Sequence, residues 1–366
     1  MLSIPIMRPK LPSADRLAPY LKSIDASRVY SNFGPLALGF EERLADHYGL
    51  KDGTVATVAN ATLGLAIALA VQEPPPGTLC AMPAWTFVAS AHAAAIAGLV
   101  PYFVDVDPET WALDPDQLVD VIAQAPAAVG AVMPVMPFGS PIDIAAWEAF
   151  RSRTGIAVVI DAAAAFDSLV PGTVPSVVSL HATKALGAGE GGLVISTDYA
   201  TRCAVRMRAN FGFYGSRQAQ TAAFNAKLSE YHAAVGHAAL DDWDQIRADW
   251  SNAADAYRRA LRESNRVSLQ QGFGETWISS TCLLGFAEQA ADRIEQSLAD
   301  RHIETRRWWG TGAHEHPATA SFPRTALPAT AALSRSTLAV PFYRDISAAE
   351  IGRIAEVVLA AAEIGR

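Results

Sequence analysis

Short apolar runs alternate with helix-length segments through the first two thirds of the chain, and few architectures accept that rhythm. Residues 54–58, 79–82, 100–104, 128–135, 156–160 and 176–180 read as strands. Residues 61–71 and 87–97 read as helices, the second ended by Gly98, and 40–48 reads as an amphipathic helix ended by Gly49. A parallel neighbour needs a crossover, so strands spaced by helices of roughly 10–15 residues imply a mostly parallel sheet. The expected fold class is α/β, a mostly parallel central sheet flanked by helices.

After about residue 225 the pattern changes. Residues 233–262 read as one long helical stretch with Asp241, Asp242, Asp244, Arg247 and Asp249 on exposed faces. Residues 277–284 read as a strand, 287–302 and 348–364 as helices, and 309–330 as a loop rich in Pro, Thr, Gly and His. The expected organisation is a large domain, 1–240, and a smaller α+β C-terminal domain, 241–366. A chain of 366 residues has room for both cores.

The composition, 51% hydrophobic and 18% charged, suits a well-buried enzyme, and a net charge of −8 argues against a nucleic-acid partner, which needs a basic face. Cys80, Cys203 and Cys282 are far apart and lack metal spacing, so they read as reduced thiols of a cytoplasmic protein. Residues 1–10 lack the basic and apolar regions of a signal peptide, and the apolar runs are too short or interrupted to cross a bilayer.

Two residues stand out chemically. Lys184 lies in a run of small and apolar residues, 179–192, where Glu190 is the nearby charge. A desolvated lysine has a lowered pKa and can attack a carbonyl. Alone, it reads equally as a surface lysine in a glycine-rich loop. Asp161 ends the apolar run 156–160 and is followed by four alanines. Ligands of open α/β sheets bind at the carboxyl ends of strands. Alone, Asp161 reads as a helix N-cap. Together, a strand-end acid and a lysine one strand later suit pyridoxal 5'-phosphate (PLP), the acid on the pyridine nitrogen and the lysine on the aldehyde.

With these residues in view, the chain resembles the DegT/DnrJ/EryC1/StrS sugar aminotransferases, PLP enzymes of fold type I. The lysine block 179–192 is the most specific match. Phe33-Gly-Pro-Leu36 with 40–45, Val58-Ala-Asn-Ala-Thr-Leu-Gly-Leu65, Pro83-Ala-Trp-Thr-Phe-Val-Ala-Ser90, Phe224-Asn-Ala-Lys-Leu-Ser229, Ile303-Glu-Thr-Arg306 and Leu338-Ala-Val-Pro341 are similar to further family blocks. The resemblance implies that Lys184 and Asp161 are catalytic. Ser179 then binds the cofactor phosphate, together with Ala61 and Thr62, whose amides start a helix. Phe87 stacks on the ring, and Asn225 reaches the phosphate of the neighbouring subunit, making a homodimer with shared active sites. Glutamate would convert PLP to its amine form, PMP, which would aminate a keto group on a nucleotide-linked deoxysugar bound for a surface polysaccharide or glycosylated metabolite.

Ala164 stands where the family has Gln or His, Met136 where it has His, and Lys227 where it has Arg. A family branch that deoxygenates sugars carries histidine at the lysine position, so Lys184 argues against that chemistry. An intact Lys184 with Asp161 also argues against a non-catalytic regulator. Gly187 to Gly192 spells G-x-G-x-x-G, yet it precedes a strand rather than opening a helix, so it is not a dinucleotide fingerprint. His314 and His316 read as polar loop residues at the substrate rim, and His181 as packing. Trp308 and Trp309 read either as a stacking platform or as a domain-interface wedge.

Overall fold

The computed structural model describes residues 3–51, 53–287 and 290–363. Its strands are β1 (Val55–Val58), β2 (Leu79–Pro83), β3 (Val100–Val104), β4 (Val129–Val132), β5 (Ala157–Val158), β6 (Ile160–Asp161), β7 (Ser176–Ser179), β8 (Gly192–Ile195), β9 (Ser268–Leu269), β10 (Cys282–Gly285) and β11 (Thr337–Val340). Two four-stranded groups, β3-β2-β4-β5 and β6-β7-β8-β1, are joined into one sheet. The joint is a strand interrupted at Val159. That residue still donates to Val132 O (3.1 Å), whereas Ile160 N turns to Pro175 O (2.8 Å), and Asp161 bridges back to Val135 in parallel.

Pairing is parallel throughout, except that β8 runs against β7 and β1. The mostly parallel sheet expected from the alternation is therefore present. Residues of β2 and β7 are buried on both faces, which explains why these strands read as continuous apolar runs without alternation. The carboxyl ends of β1, β2, β6 and β7 share one edge with the start of β8.

The Ala61–Val71 helix begins and ends where its run of Ala and Leu placed it. Helices Pro115–Ala123 and Ile144–Thr154 fill other crossovers and Tyr199–Ala209 follows β8, each opened by an aspartate cap, Asp114, Asp143 or Asp198. Apolar periodicity passes over that signal.

Four expectations need correction. The stretch 233–262 is two helices, Glu230–Asp241 and Trp243–Leu261. The break lies at Asp242, where long-range partners hold adjacent acids: Tyr20 and Arg43 bind Asp241, and Arg16 binds Asp242. The helix expected from Phe87 begins at Ala89, which leaves Phe87 outside it and 57% exposed. The strand expected over 277–284 is Cys282–Gly285. Trp277 precedes it, in a turn opened by Gly272 and Gly274, with its indole N–H on Gln271 O (2.9 Å). The loop expected over 309–330 ends in a helix, Pro328–Ser336, which has no side-chain cap of its own. Asp105, more than two hundred residues upstream, accepts from Ala329 N (2.7 Å) and Thr330 N (2.8 Å) in its place.

The expected 287–302 helix is observed as Ala290–Ala299, its residues 288–289 lying outside the described residues. The last helix is Ala348–Glu363, and Ile364 also lies outside them. Strands β9, β10 and β11 form an antiparallel sheet of their own.

Candidate active site

A cavity of about 420 Å³ opens at the shared sheet edge. Its size is within the range of small-molecule sites, roughly 300–1,000 Å³. Ala61, Thr62, Phe87, Asp161, Ser179 and Lys184 all line it, so six of the seven residues marked in the sequence converge there. Asn225, the seventh, is not among its lining. It is exposed, and its side-chain oxygen accepts from Lys227 Nζ (2.6 Å).

Asp161 is buried at the end of β6. One carboxylate oxygen accepts from Ser90 Oγ (2.7 Å) and the other from Ala163 N (3.1 Å). The Ser90 hydroxyl hydrogen is committed to Asp161, so the 2.9 Å contact between Thr86 Oγ1 and Ser90 Oγ must have Thr86 as donor. Burial pushes the Asp161 carboxyl above its usual pKa, and the Ser90 hydroxyl, the Ala163 amide and Lys184 oppose the shift. No helix follows, so Asp161 is not the N-cap that its position alone suggested.

Lys184 closes a turn, its N–H on His181 O (2.9 Å). It is half-buried, open to the cavity on one side while protein encloses the rest, and no acceptor holds its ammonium among the described residues. Burial lowers its pKa, with Asp161 pulling the other way. Both groups are thus driven toward neutrality, as befits an amine nucleophile and a carboxylate that awaits a cationic partner.

The opposite rim is built for an anion. Asn60 caps the Ala61–Val71 helix through its side chain, which accepts from Leu63 N (2.9 Å). Intrahelical bonding has no use for the first amides, those of Ala61 and Thr62. A side chain at position 192 would collide with Ala61 N at 2.8 Å, so Gly192 is what lets the helix start lie against β8. Ser179, at the end of β7, is buried and lines the same cavity. A buried acid, an enclosed lysine, an anion-ready helix start and an exposed ring at Phe87 fit the donor set of PLP.

The sequence left several lining residues unmarked, among them Asn60, Thr86, Glu190, Ser280, Thr281 and Arg306. Ser90 ends a block similar to the family's, yet its role went unmarked, for its link to Asp161 spans 71 residues. His181 lines the cavity with Nδ1 on Thr183 Oγ1 (2.8 Å) and Nε2 3.6 Å from Glu190. His314 corrects another expectation. It is buried, packs on Phe103 (6.2 Å) and does not line the cavity, whereas His316 is exposed. Trp308 and Trp309 do line it. Residues 187–192 form the loop leading into β8, with Gly189 and Gly191 at positive φ, and open no helix.

The sequence pattern of the DegT/DnrJ/EryC1/StrS aminotransferase family matches residues 13–359. Protein Mb3436c of Mycobacterium bovis is 29% identical over 97% of this chain and 89% of its own length. The dTDP-4-amino-4,6-dideoxy-D-glucose transaminase of Shigella dysenteriae is 29% identical over 72% of each chain. The crystal structure of DesI, obtained in the presence of its TDP-sugar product, is 29% identical and superposes with a TM-score of 0.88, covering 99% of this chain and 93% of that one.

Proposed function

Because this chain belongs to the DegT/DnrJ/EryC1/StrS aminotransferase family, we propose that it transfers an amino group, with PLP as cofactor, from an amino acid to a keto group of a nucleotide-linked sugar. The convergence of Lys184 and Asp161 on one cavity carries this reading. Bound PLP supplies an aldehyde for the amine and an electron sink for the bond that breaks.

The chain's own residues do the rest. Lys184, whose pKa burial lowers, takes a proton from the substrate carbon and returns it. Asp161 holds the proton on the cofactor's ring nitrogen, and the Thr86–Ser90 chain fixes the carboxylate that does so. The Ala61 and Thr62 amides and Ser179 would hold the phosphate, and Phe87 would supply an aromatic face for the pyridine ring. Asn225, exposed and away from its own cavity, serves the site of a second copy, so the working unit is a homodimer. Glutamate is the amino donor and a deoxyhexose the sugar, as the 4,6-dideoxyglucose relative suggests. Among the described residues no helix is long and apolar enough to cross a membrane.

The test is spectroscopic, then chemical. The purified protein with PLP should show a visible absorbance band that shifts when glutamate is added. The aminated cofactor form, offered dTDP-, UDP- and GDP-linked 3-keto and 4-keto sugars, should add an amine to one of them by mass spectrometry. A protein that gains no band with PLP defeats the proposal.

A further inference from the structure

Adjacent arginines, Arg306 and Arg307, have opposite situations. Arg307 is consumed by structure: it pairs with Glu295 (3.0 Å) and Asp292 (2.5 Å) and donates to Ser334 O (3.2 Å). Arg306 lines the active cavity, and no carboxylate pairs with it among the described residues. Its guanidinium lies 4.7 Å from the centre of the Trp308 ring. That contact orients the cation while leaving the N–H donors at the guanidinium's edge for an anion.

Beside it stands an aromatic wall that the cofactor-binding residues do not use. Trp309 stacks on Phe138 at 3.9 Å with 18° between planes. Trp85 packs edge-on against Trp309 (5.4 Å), and Trp111 against Phe138 (6.2 Å). Phe138, Trp308 and Trp309 all border the cavity, and the two tryptophans are half-buried, so ring surface remains for a ligand. The backbone is bent to build this wall. Trp111, Phe138 and Trp309 come from three separate segments and all adopt left-handed φ, 62°, 56° and 66°. Bulky residues seldom occupy that region without a constraint that repays it.

We propose that this corner is the acceptor subsite. Trp308 and the Trp309–Phe138 stack receive the apolar C–H and methyl face of a deoxygenated hexose, and Arg306 takes a phosphate oxygen of its nucleotide diphosphate. The inference rests on the aminotransferase reading and adds to it which residues choose the substrate.

The test uses the PLP-loaded protein, with binding of dTDP, UDP and GDP measured by calorimetry and the glutamate step followed by absorbance. Arg306→Ala should weaken the preferred nucleotide by about tenfold or more, the scale of one lost charge-assisted contact, and flatten its salt dependence. The loss should fall on the nucleotide rather than on the glutamate step. Trp308→Ala should raise the KM for the keto-sugar more than it weakens the bare nucleotide, and Trp308→Phe should recover most of the loss. Equal nucleotide affinity in Arg306→Ala and wild type overturns the proposal. A defect confined to the glutamate step also overturns it, because the anion would then be the donor's carboxylate. A wild-type protein that responds to neither glutamate nor nucleotide removes the aminotransferase reading, and the subsite with it. A wild type that responds to both, with silent variants, removes only the subsite.

Discussion

Two buried carboxylates in this protein sit in opposite circumstances. Glu41 is closed on every side: it accepts from Thr57 N (2.9 Å) and Thr57 Oγ1 (2.9 Å), pairs with Arg202 at 3.0 Å and lies 3.7 Å from Arg206. Asp161 receives two neutral donors, and its cationic neighbour, Lys184, comes no closer than the limit for an ion pair. The first arrangement repays desolvation within the chain. The second leaves that cost uncovered, and a cationic ring nitrogen would cover it. Buried charge completed by the fold supports structure, whereas buried charge left incomplete marks where a ligand belongs.

The largest effect should follow from Lys184→Ala. Turnover should fall by roughly 10²–10⁴-fold or more, since the proton-transfer group is gone, and the glutamate-responsive band should vanish. The melting temperature should change little, because among the described residues no acceptor holds this half-buried cation. Stopped-flow absorbance and thermal unfolding check both halves, and a clear loss of stability would blur the contrast with Glu41.

Glu41→Ala should invert this pattern. Arg202 and Arg206 would stay half-buried without their counter-charge, at a cost of up to about 3–5 kcal/mol in urea unfolding. The molecules that remain folded should keep a normal cofactor spectrum.

Asp161→Asn should weaken cofactor binding by about tenfold and change how stability depends on pH. Burial raises the folded pKa of Asp161. Its stability contribution is therefore complete below the unfolded value and lost as pH rises through the folded one. The cofactor-free wild type should lose melting temperature as pH rises from the acid range, and the Asn variant should lose less. Parallel curves would show that Asp161 carries no such penalty.

Ser90→Ala should have the smallest effect, a severalfold faster loss of cofactor, because one donor to Asp161 disappears while the Ala163 amide remains. Dialysis followed by residual absorbance would measure it.

Much of the fold was legible in the chain. Both ends of the Ala61–Val71 helix and of β3 fall where the apolar runs put them, since an element buried on nearly every side is written as an unbroken apolar stretch of its own length. Lys184 was legible because a lone cation in an apolar run is conspicuous, and Asp161 because it ends a buried strand. The helix break at Asp242 and the start of the Pro328–Ser336 helix were not, for each depends on partners far away in sequence.

By itself the sequence determined the alternation and the mostly parallel sheet, and it made Lys184 and the strand-end acid Asp161 conspicuous, because each of these is written in runs of adjacent residues. Only the tertiary structure decided that Ser90 serves Asp161, that His314 is buried, and that Trp309 meets Phe138 beside Arg306. Such meetings depend on how distant segments pack, and no local period or cap records them.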